Sequence, residues 1–269
     1  MAGQKEHRST AGLAWRKSLA KLWAETAPMF GKLQISEARE KELIWEFFGR
    51  KSNGFFIEVG ANDPQKGSQT WLLEQSGWKG VLVEPQTAFY ERLVRERSNS
   101  KVFHAACSSP DKRGHATLHI ADPPGFSTMD KQVDTFGVRY VATESVPVIT
   151  LDDILEVEGN PTVDFVSLDV EGQELNVLRG FNLRKHQPKL LFVEDGVRTL
   201  EKHRHMQAQG YRLVKRTKQN NWYVPDRATF AMTSFGERVE LIRKMYLATP
   251  FRQLRMALRR RQRGVNTKG

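Results

Sequence analysis

From residue 54 to residue 224, short apolar runs alternate with amphipathic stretches. Residues 54–59 (Gly-Phe-Phe-Ile-Glu-Val) read as a strand, with a helix following over 70–75. Residues 80–84 form a second strand closed by Pro85, followed by a charged helix over 87–97. Residues 101–106, 162–169 and 189–194 supply three further main strands. Around 114–121 and 145–149 the period falls to two, which predicts strands outside the regular alternation. A helix over 199–209 closes at Gly210, and 211–216 and 222–224 pair across the polar Gln219-Asn220-Asn221 turn. Strands alternating with helices predict an α/β fold around a mostly parallel sheet. There are no internal repeats.

Helical periodicity extends beyond this body. Residues 13–25 place Trp15, Leu19, Leu22 and Trp23 on one face, and 36–48 form a helix with Ser36 as N-cap. In that helix Leu43, Ile44, Phe47 and Phe48 point towards the sheet. Residues 236–247 and 251–263 are two more helices, separated by Pro250. The expected organisation is basic amphipathic helices over 1–50, a domain over 51–235, and helices with a basic tail over 236–269.

Composition changes this picture little. With 269 residues and 39% hydrophobic side chains the chain can build a packed core. A single cysteine, Cys107, excludes an intramolecular disulfide framework and any multi-cysteine zinc module. No apolar run approaches the roughly 18 residues a membrane-spanning helix needs, and residues 1–30 lack the h-region of a secretory signal. The expectation is a cytoplasmic protein.

Charge matters more once it is located. The net charge is +11, which on its face suggests a nucleic acid or an anionic membrane. Residues 1–32 carry six Lys and Arg against two Glu, and residues 251–269 carry seven against no acid. The stretch 33–250 is therefore neutral. Residues 251–263 set Phe251, Leu254 and Leu258 among arginines, a pattern that fits peripheral contact with an anionic membrane and also an RNA-binding arm. A solvated end is the third reading; nucleic acid ranks below lipid because Trp15 and Trp23 favour an interface.

The candidate chemistry lies at the strand ends, where open parallel sheets bind ligands. The first strand ends in Glu58-Val59-Gly60-Ala61-Asn62-Asp63, with Gly60 allowing a sharp turn and close approach to a ligand. The second ends in Glu84-Pro85, an acid placed to accept from both ribose hydroxyls of a nucleoside. The fourth ends in Asp169-Val170-Glu171-Gly172 and the fifth in Glu194-Asp195. Packing alone rarely brings so many carboxylates to one rim, although single ones serve as helix caps. The G-x-G-x-x-G cradle for a pyrophosphate is absent, so a nucleoside without phosphates fits better, which points to S-adenosylmethionine.

Here the sequence resembles the FkbM-type family of S-adenosylmethionine-dependent methyltransferases, over roughly residues 54–224. The matching segments are 56–63 (Phe-Ile-Glu-Val-Gly-Ala-Asn-Asp), Ser68 with Thr70, Gly77-Trp78-Lys79-Gly80, Val83-Glu84-Pro85, Thr150-Leu151-Asp152-Asp153, and 164–172 (Asp-Phe-Val-Ser-Leu-Asp-Val-Glu-Gly) followed by Glu174, Leu178 and Gly180. Pro64 departs from the family, which usually has glycine there, and stiffens the loop. The resemblance implies a Rossmann-like class I methyltransferase: a mostly parallel seven-stranded sheet with an antiparallel last strand, flanked by N- and C-terminal helices. It also implies methyl transfer to a hydroxyl, often on a sugar. By position, Glu58, Gly60, Ala61 and Asn62 would border the methionine part of the cofactor, Ser68 would help hold its carboxylate, and Glu84-Pro85 would meet the ribose. Ala105 and Ala106 would admit the adenine, and Asp169 would lie beside the methyl donor. His104 and Cys107 read as structural.

An alcohol is a weak nucleophile, so a base taking its proton adds roughly 10²–10⁴ in rate. Asp169, Glu171 and Glu194 are the candidates, with Asp169 orienting or deprotonating the hydroxyl. The same carboxylates offer oxygen ligands to a divalent cation such as Mg²⁺, which leaves a metal open; the scattered histidines make no transition-metal site. Residues 122–135 read as a lid or as a plain surface loop. The expected activity is O-methylation of a sugar, glycan, glycolipid or related small molecule. An RNA methyltransferase held by its basic tails and a non-catalytic interaction module are the alternatives; intact Glu58, Gly60, Glu84 and Asp169 argue against the latter.

Overall fold

The computed structural model describes residues 35–130, 138–196, 199–250 and 252–253. Helix α1 (Glu37–Phe47) is capped by the Ser36 hydroxyl, which accepts from the Arg39 amide at 3.2 Å. Then follow β1 (Phe55–Val59), α2 (Trp71–Gln75), β2 (Lys79–Val83), α3 (Thr87–Glu96), β3 (Ser100–Phe103), β4 (Ala106–Cys107), β5 (Gly114–Asp122) and β6 (Arg139–Ile149). The second half contains α4 (Leu151–Val157), β7 (Phe165–Leu168), α5 (Glu174–Arg179), α6 (Leu183–His186), β8 (Leu190–Glu194), α7 (Glu201–Ala208), β9 (Tyr211–Thr217), β10 (Asn220–Pro225) and α8 (Phe235–Ile242).

Seven strands form the main sheet in the order β3-β2-β1-β7-β8-β10-β9. The first five are parallel, and β10, the last in sequence, runs antiparallel between β8 and β9. This is the Rossmann-like methyltransferase arrangement. Because helices cover both faces, the parallel strands read as continuous apolar runs. Alternate side chains divide into two cores. Ile57, Val81, Val83, Val166, Leu168, Leu191 and Val193 pack with α4 and α5. Phe56, Leu82, Phe165, Leu190, Phe192 and Trp222 pack on the other face with Leu43 and Ile44 of α1, Phe48, Leu73 and Trp78. Helix α1, placed before the domain by the sequence pattern, is thus part of the same packed layer.

Several of the motif residues hold this frame together. Thr150 and Asp153 form a reciprocal capping box at the start of α4, and Asp153 also pairs with Arg113 at 2.7 Å. Asp164 accepts from the Phe55 amide at 3.1 Å and from Lys189 at 2.7 Å. A Cβ on Gly180 would lie 2.2 Å from the Ser108 carbonyl oxygen, so only glycine allows that approach.

Two expectations need correction. The third strand stops at Phe103, not at residue 106: His104 stacks on Tyr90 at a centroid distance of 4.5 Å and meets the Pro85 carbonyl at 3.1 Å, and the chain leaves the sheet there. Ala106–Cys107 instead joins a three-stranded sheet, β4-β6-β5, whose β4 pairs in parallel with the end of β6, Ala106 opposite Val148 and Cys107 opposite Ile149. The helix expected over 236–247 is α8 from Phe235, capped by a Ser234–Glu237 box, and it continues as a π-helical turn over Arg243–Leu247. The helices expected over 13–25 and 251–263 lie outside the described residues, apart from 252–253, and so does 131–137 of the expected lid.

Candidate active site

Strand parity and register assemble the site. Glu58, Glu84, Asp169 and Glu194 all fall on the α1 side of the sheet alternation, at the carboxyl ends of four adjacent strands. Leu168 pairs with Val193 in the β7–β8 ladder, and one step further the register sets Asp169 opposite Glu194. In the β1–β2 ladder Val59 pairs with Val83, so Gly60 and Glu84 leave the sheet side by side.

A cleft in two lobes opens at these ends. Both are lined by Gly60, Asn62, Asp169 and Glu171. The narrower inner lobe also contains Glu84, Pro85, Ala105 and Ala106, and the outer lobe, about 410 Å³, contains Glu58, Ala61, Lys66, Ser68 and Asn220. That volume is in the range of small-molecule sites. Gly60 sits at φ +77°, and a Cβ there would fall 1.8 Å from the Asp169 carbonyl oxygen. The crossing of the β1 and β7 ends therefore requires glycine.

Glu84 is buried, and each of its oxygens accepts one backbone N–H, from Asn62 at 2.9 Å and from Gln86 at 2.8 Å. Each keeps a lone pair for a further donor, which suits the two hydroxyls of a ribose. Burial, with Glu144 adding to it, raises its pKa to about 7 against the pull of the two amides. Ala105 and Ala106 leave the space a flat base needs. The residues present thus fit a nucleoside.

Glu58 and Ser68 act within the wall. Glu58 accepts from the Ser68 hydroxyl at 2.7 Å, the Gln69 amide at 2.7 Å and the Thr70 hydroxyl at 2.5 Å. The Ser68 oxygen in turn accepts from the Thr70 and Trp71 amides and from Arg97. The hydroxyl expected to hold a cofactor carboxylate is already engaged by the protein.

At the end of β7, Asp169 faces the open cleft while protein encloses most of its surroundings. This enclosure, together with the carboxylate of Glu194 in hydrogen-bonding reach, raises its pKa well above the usual range. Glu171, at φ +48° in the turn that follows, is raised to about 7 by burial and by Glu194 and Glu174. Among the described residues no group of three or more His, Cys, Asp or Glu side chains is arranged to hold a metal ion.

The sequence matches the model of the methyltransferase FkbM domain over residues 58–213, more than half of the chain. The chain belongs to the FkbM family of S-adenosylmethionine-dependent methyltransferases. Solved structures similar to this FkbM protein include a methyltransferase from Geobacter sulfurreducens (11% identity, covering 82% of this chain and 90% of that one, TM-score 0.38). Another is a SAM-dependent methyltransferase from Aquifex aeolicus (13% identity, 73% and 95% covered, TM-score 0.38). No curated protein matches the sequence.

Two parts of the FkbM site, Lys202 and the grip of helix α1, escape a reading of the sequence. Lys202, on α7, bridges Glu174 at 3.0 Å, Asp195 at 3.2 Å and the Glu194 carbonyl at 2.8 Å. Burial works against its charge, but the two acids outweigh it and its pKa stands above the ordinary value. Helix α1 grips the cleft loop, with Glu37 accepting from the Gly67 amide at 2.8 Å and Lys41 donating to the Gln65 carbonyl at 3.0 Å. The segment after β5 turns through Pro124–Phe126 and brings Pro124, Gly125 and Ser127 to the cleft, where Ser127 donates to Gln86 at 3.1 Å. No helix among the described residues is long and apolar enough to cross a membrane.

Proposed function

We propose that the protein is an O-methyltransferase acting on a hydroxyl of a sugar, glycan, glycolipid or related neutral polyol. The observation that carries this reading is the proton-holding group at the acceptor side: Asp169 shares its environment with Glu194, and Glu171 sits beside them. A carboxylate whose proton affinity is raised towards neutral pH is matched to taking a proton from an alcohol as its oxygen reacts.

Bound S-adenosylmethionine supplies an electrophilic methyl on a sulfonium that is itself a good leaving group. Glu84 accepts from the ribose hydroxyls, and Pro85 fixes the turn that carries it. Gly60, Ala61 and Asn62 let backbone close on the methionine portion, with Glu58 and Ser68 holding that wall in shape. Ala105 and Ala106 make room for the adenine. Asp169 accepts a hydrogen bond from the acceptor hydroxyl, orients its oxygen and takes its proton; Glu194 and Glu171 assist by sharing that proton. The Pro124–Ser127 segment covers the cleft and excludes water from it. Holding the acceptor oxygen at about 3 Å from the reacting carbon contributes most of the remaining acceleration.

The acidic rim favours a neutral polyol over RNA, because phosphate oxygens would meet the Asp169, Glu171 and Glu194 carboxylates. The test is transfer of labelled methyl into cell-extract fractions of lipid, polysaccharide, RNA and protein. Label in the lipid or polysaccharide fraction as an alkali-stable ether is the expected outcome, and label confined to RNA or protein overturns the reading. In the same assay Asp169→Asn should lower turnover by about 10²–10⁴ while S-adenosylhomocysteine binds within a few-fold of normal. Near-full turnover of that variant removes Asp169 from the role.

A further inference from the structure

The donor's amino-acid end carries a carboxylate, and the cleft is lined by acids: Glu37, Glu58, Asp63, Glu84, Asp169 and Glu171. A ligand carboxylate entering it needs a donor or a positive charge. The loop bordering the outer lobe offers few free groups. The amide of Gly67 donates to Glu37, that of Gln69 to Glu58, and those of Thr70 and Trp71 to Ser68. The Ser68 hydroxyl donates to Glu58.

Lys66 is different. Among the described residues it is the only lysine or arginine lining either lobe. Its backbone amide donates to Asp63 at 2.8 Å, and the loop around it is tied down on every side. Arg92 holds Asp63 at 2.9 Å, Arg97 holds the Pro64 carbonyl at 3.0 Å, and Lys41 holds the Gln65 carbonyl at 3.0 Å. These three cations are committed to the loop, while the Lys66 side chain is exposed on a fixed backbone at the rim.

We propose that Lys66 binds the α-carboxylate of the donor through its Nζ, taking the part that the engaged Ser68 hydroxyl is not free to play. This rests on the reading of the cleft as the donor site. A flexible ammonium on a rigid loop also gives a charge that follows the ligand in and lets the product leave.

The experiment compares two ligands by calorimetric titration: S-adenosylhomocysteine, which carries the carboxylate, and 5′-methylthioadenosine, which keeps the nucleoside and lacks it. Lys66→Met should weaken S-adenosylhomocysteine about tenfold and leave 5′-methylthioadenosine within about twofold. Lys66→Arg should restore most of the loss. Equal loss for both ligands, or no loss for either, overturns the assignment of Lys66 alone. If the wild-type protein binds neither ligand, the donor site itself is misread and Lys66 falls with it. Because the Lys66 side chain is exposed, the variant should melt with the wild type.

Discussion

Glu84 gives the most quantitative consequence of the site. It is 5% exposed, and its pKa is displaced from an ordinary 4.5 to about 7, chiefly by burial. The sign follows from linkage. A folded-state pKa above the unfolded one means that the folded protein binds the proton more tightly, so acidification through 7 stabilises it. Above about pH 7 the folded protein bears the full cost of an ionised buried carboxylate, about 3 kcal/mol for this displacement. Between pH 7 and 4.5 that cost falls by about 1.4 kcal/mol per pH unit. The test is urea unfolding of wild type and Glu84→Gln from pH 5 to pH 8, followed by tryptophan fluorescence. Hydrogen bonds lost from the Asn62 and Gln86 amides are independent of pH and appear as a constant offset. The remaining difference should move by about 2–3 kcal/mol in favour of the variant as pH rises. A difference that stays flat over this range would refute the assignment.

The same displacement has a functional side. Ribose hydroxyls donating to Glu84 favour its ionised form, so ligand binding near pH 6.5 should release a fraction of a proton. Titration of S-adenosylhomocysteine in two buffers of different ionisation enthalpy reads this directly, and the release should vanish in Glu84→Gln.

Gly60→Ala puts a Cβ 1.8 Å from the Asp169 carbonyl oxygen at a left-handed φ; a stability loss on the order of 2–4 kcal/mol and loss of donor binding are expected, by thermal melt and calorimetry. Lys202→Met leaves buried Glu174 and Asp195 without their cation, costing about 3 kcal/mol. It should also move the pH–rate profile to higher pH, because Asp169 and Glu171 would ionise later; an unmoved profile in a folded variant removes Lys202 from the acceptor side. Raised proton affinity at Glu171, about 7, predicts that turnover of the wild type climbs with pH through 7 and levels above it.

The frame and its four rim acids were legible because a parallel strand buried on both faces has a simple signature: an apolar run with the polar residue at its end. The runs holding Val81 and Val166 end in Glu84 and Asp169, which line the cleft, the run holding Ile57 carries Glu58 one residue before its end, and the run holding Leu191 ends in Glu194 beside Asp169. What was hidden depends on partners far along the chain. Lys202 lies in a polar helix and looks like any solvated lysine until Glu174 and Asp195 come to meet it. Ser68 fits a ligand-binding pattern, yet its hydroxyl is drawn inward by Glu58 and Arg97, which a pattern along the chain cannot reveal. The break after Phe103 is hidden because apolar residues continue on both sides of His104, Val102-Phe103 before it and Ala105-Ala106 after it, and the turn is set by His104 against Tyr90.

The short parallel pairing of Ala106–Cys107 with Val148–Ile149 brings the exit and return of a forty-residue excursion side by side. Closing a long segment at its base leaves its length nearly free to vary, since closure entropy grows only slowly with length. Two polar attachments join that excursion to the nucleoside side: Ser127 donates to Gln86, and Glu144 accepts from both the amide and the hydroxyl of Thr87. Because Leu118, Pro124, Gly125, Ser127, Thr128 and Met129 of this excursion line the lobe that contains Glu84, grafting a different excursion between Cys107 and Val148 should change what that lobe admits while the seven-stranded sheet stays intact.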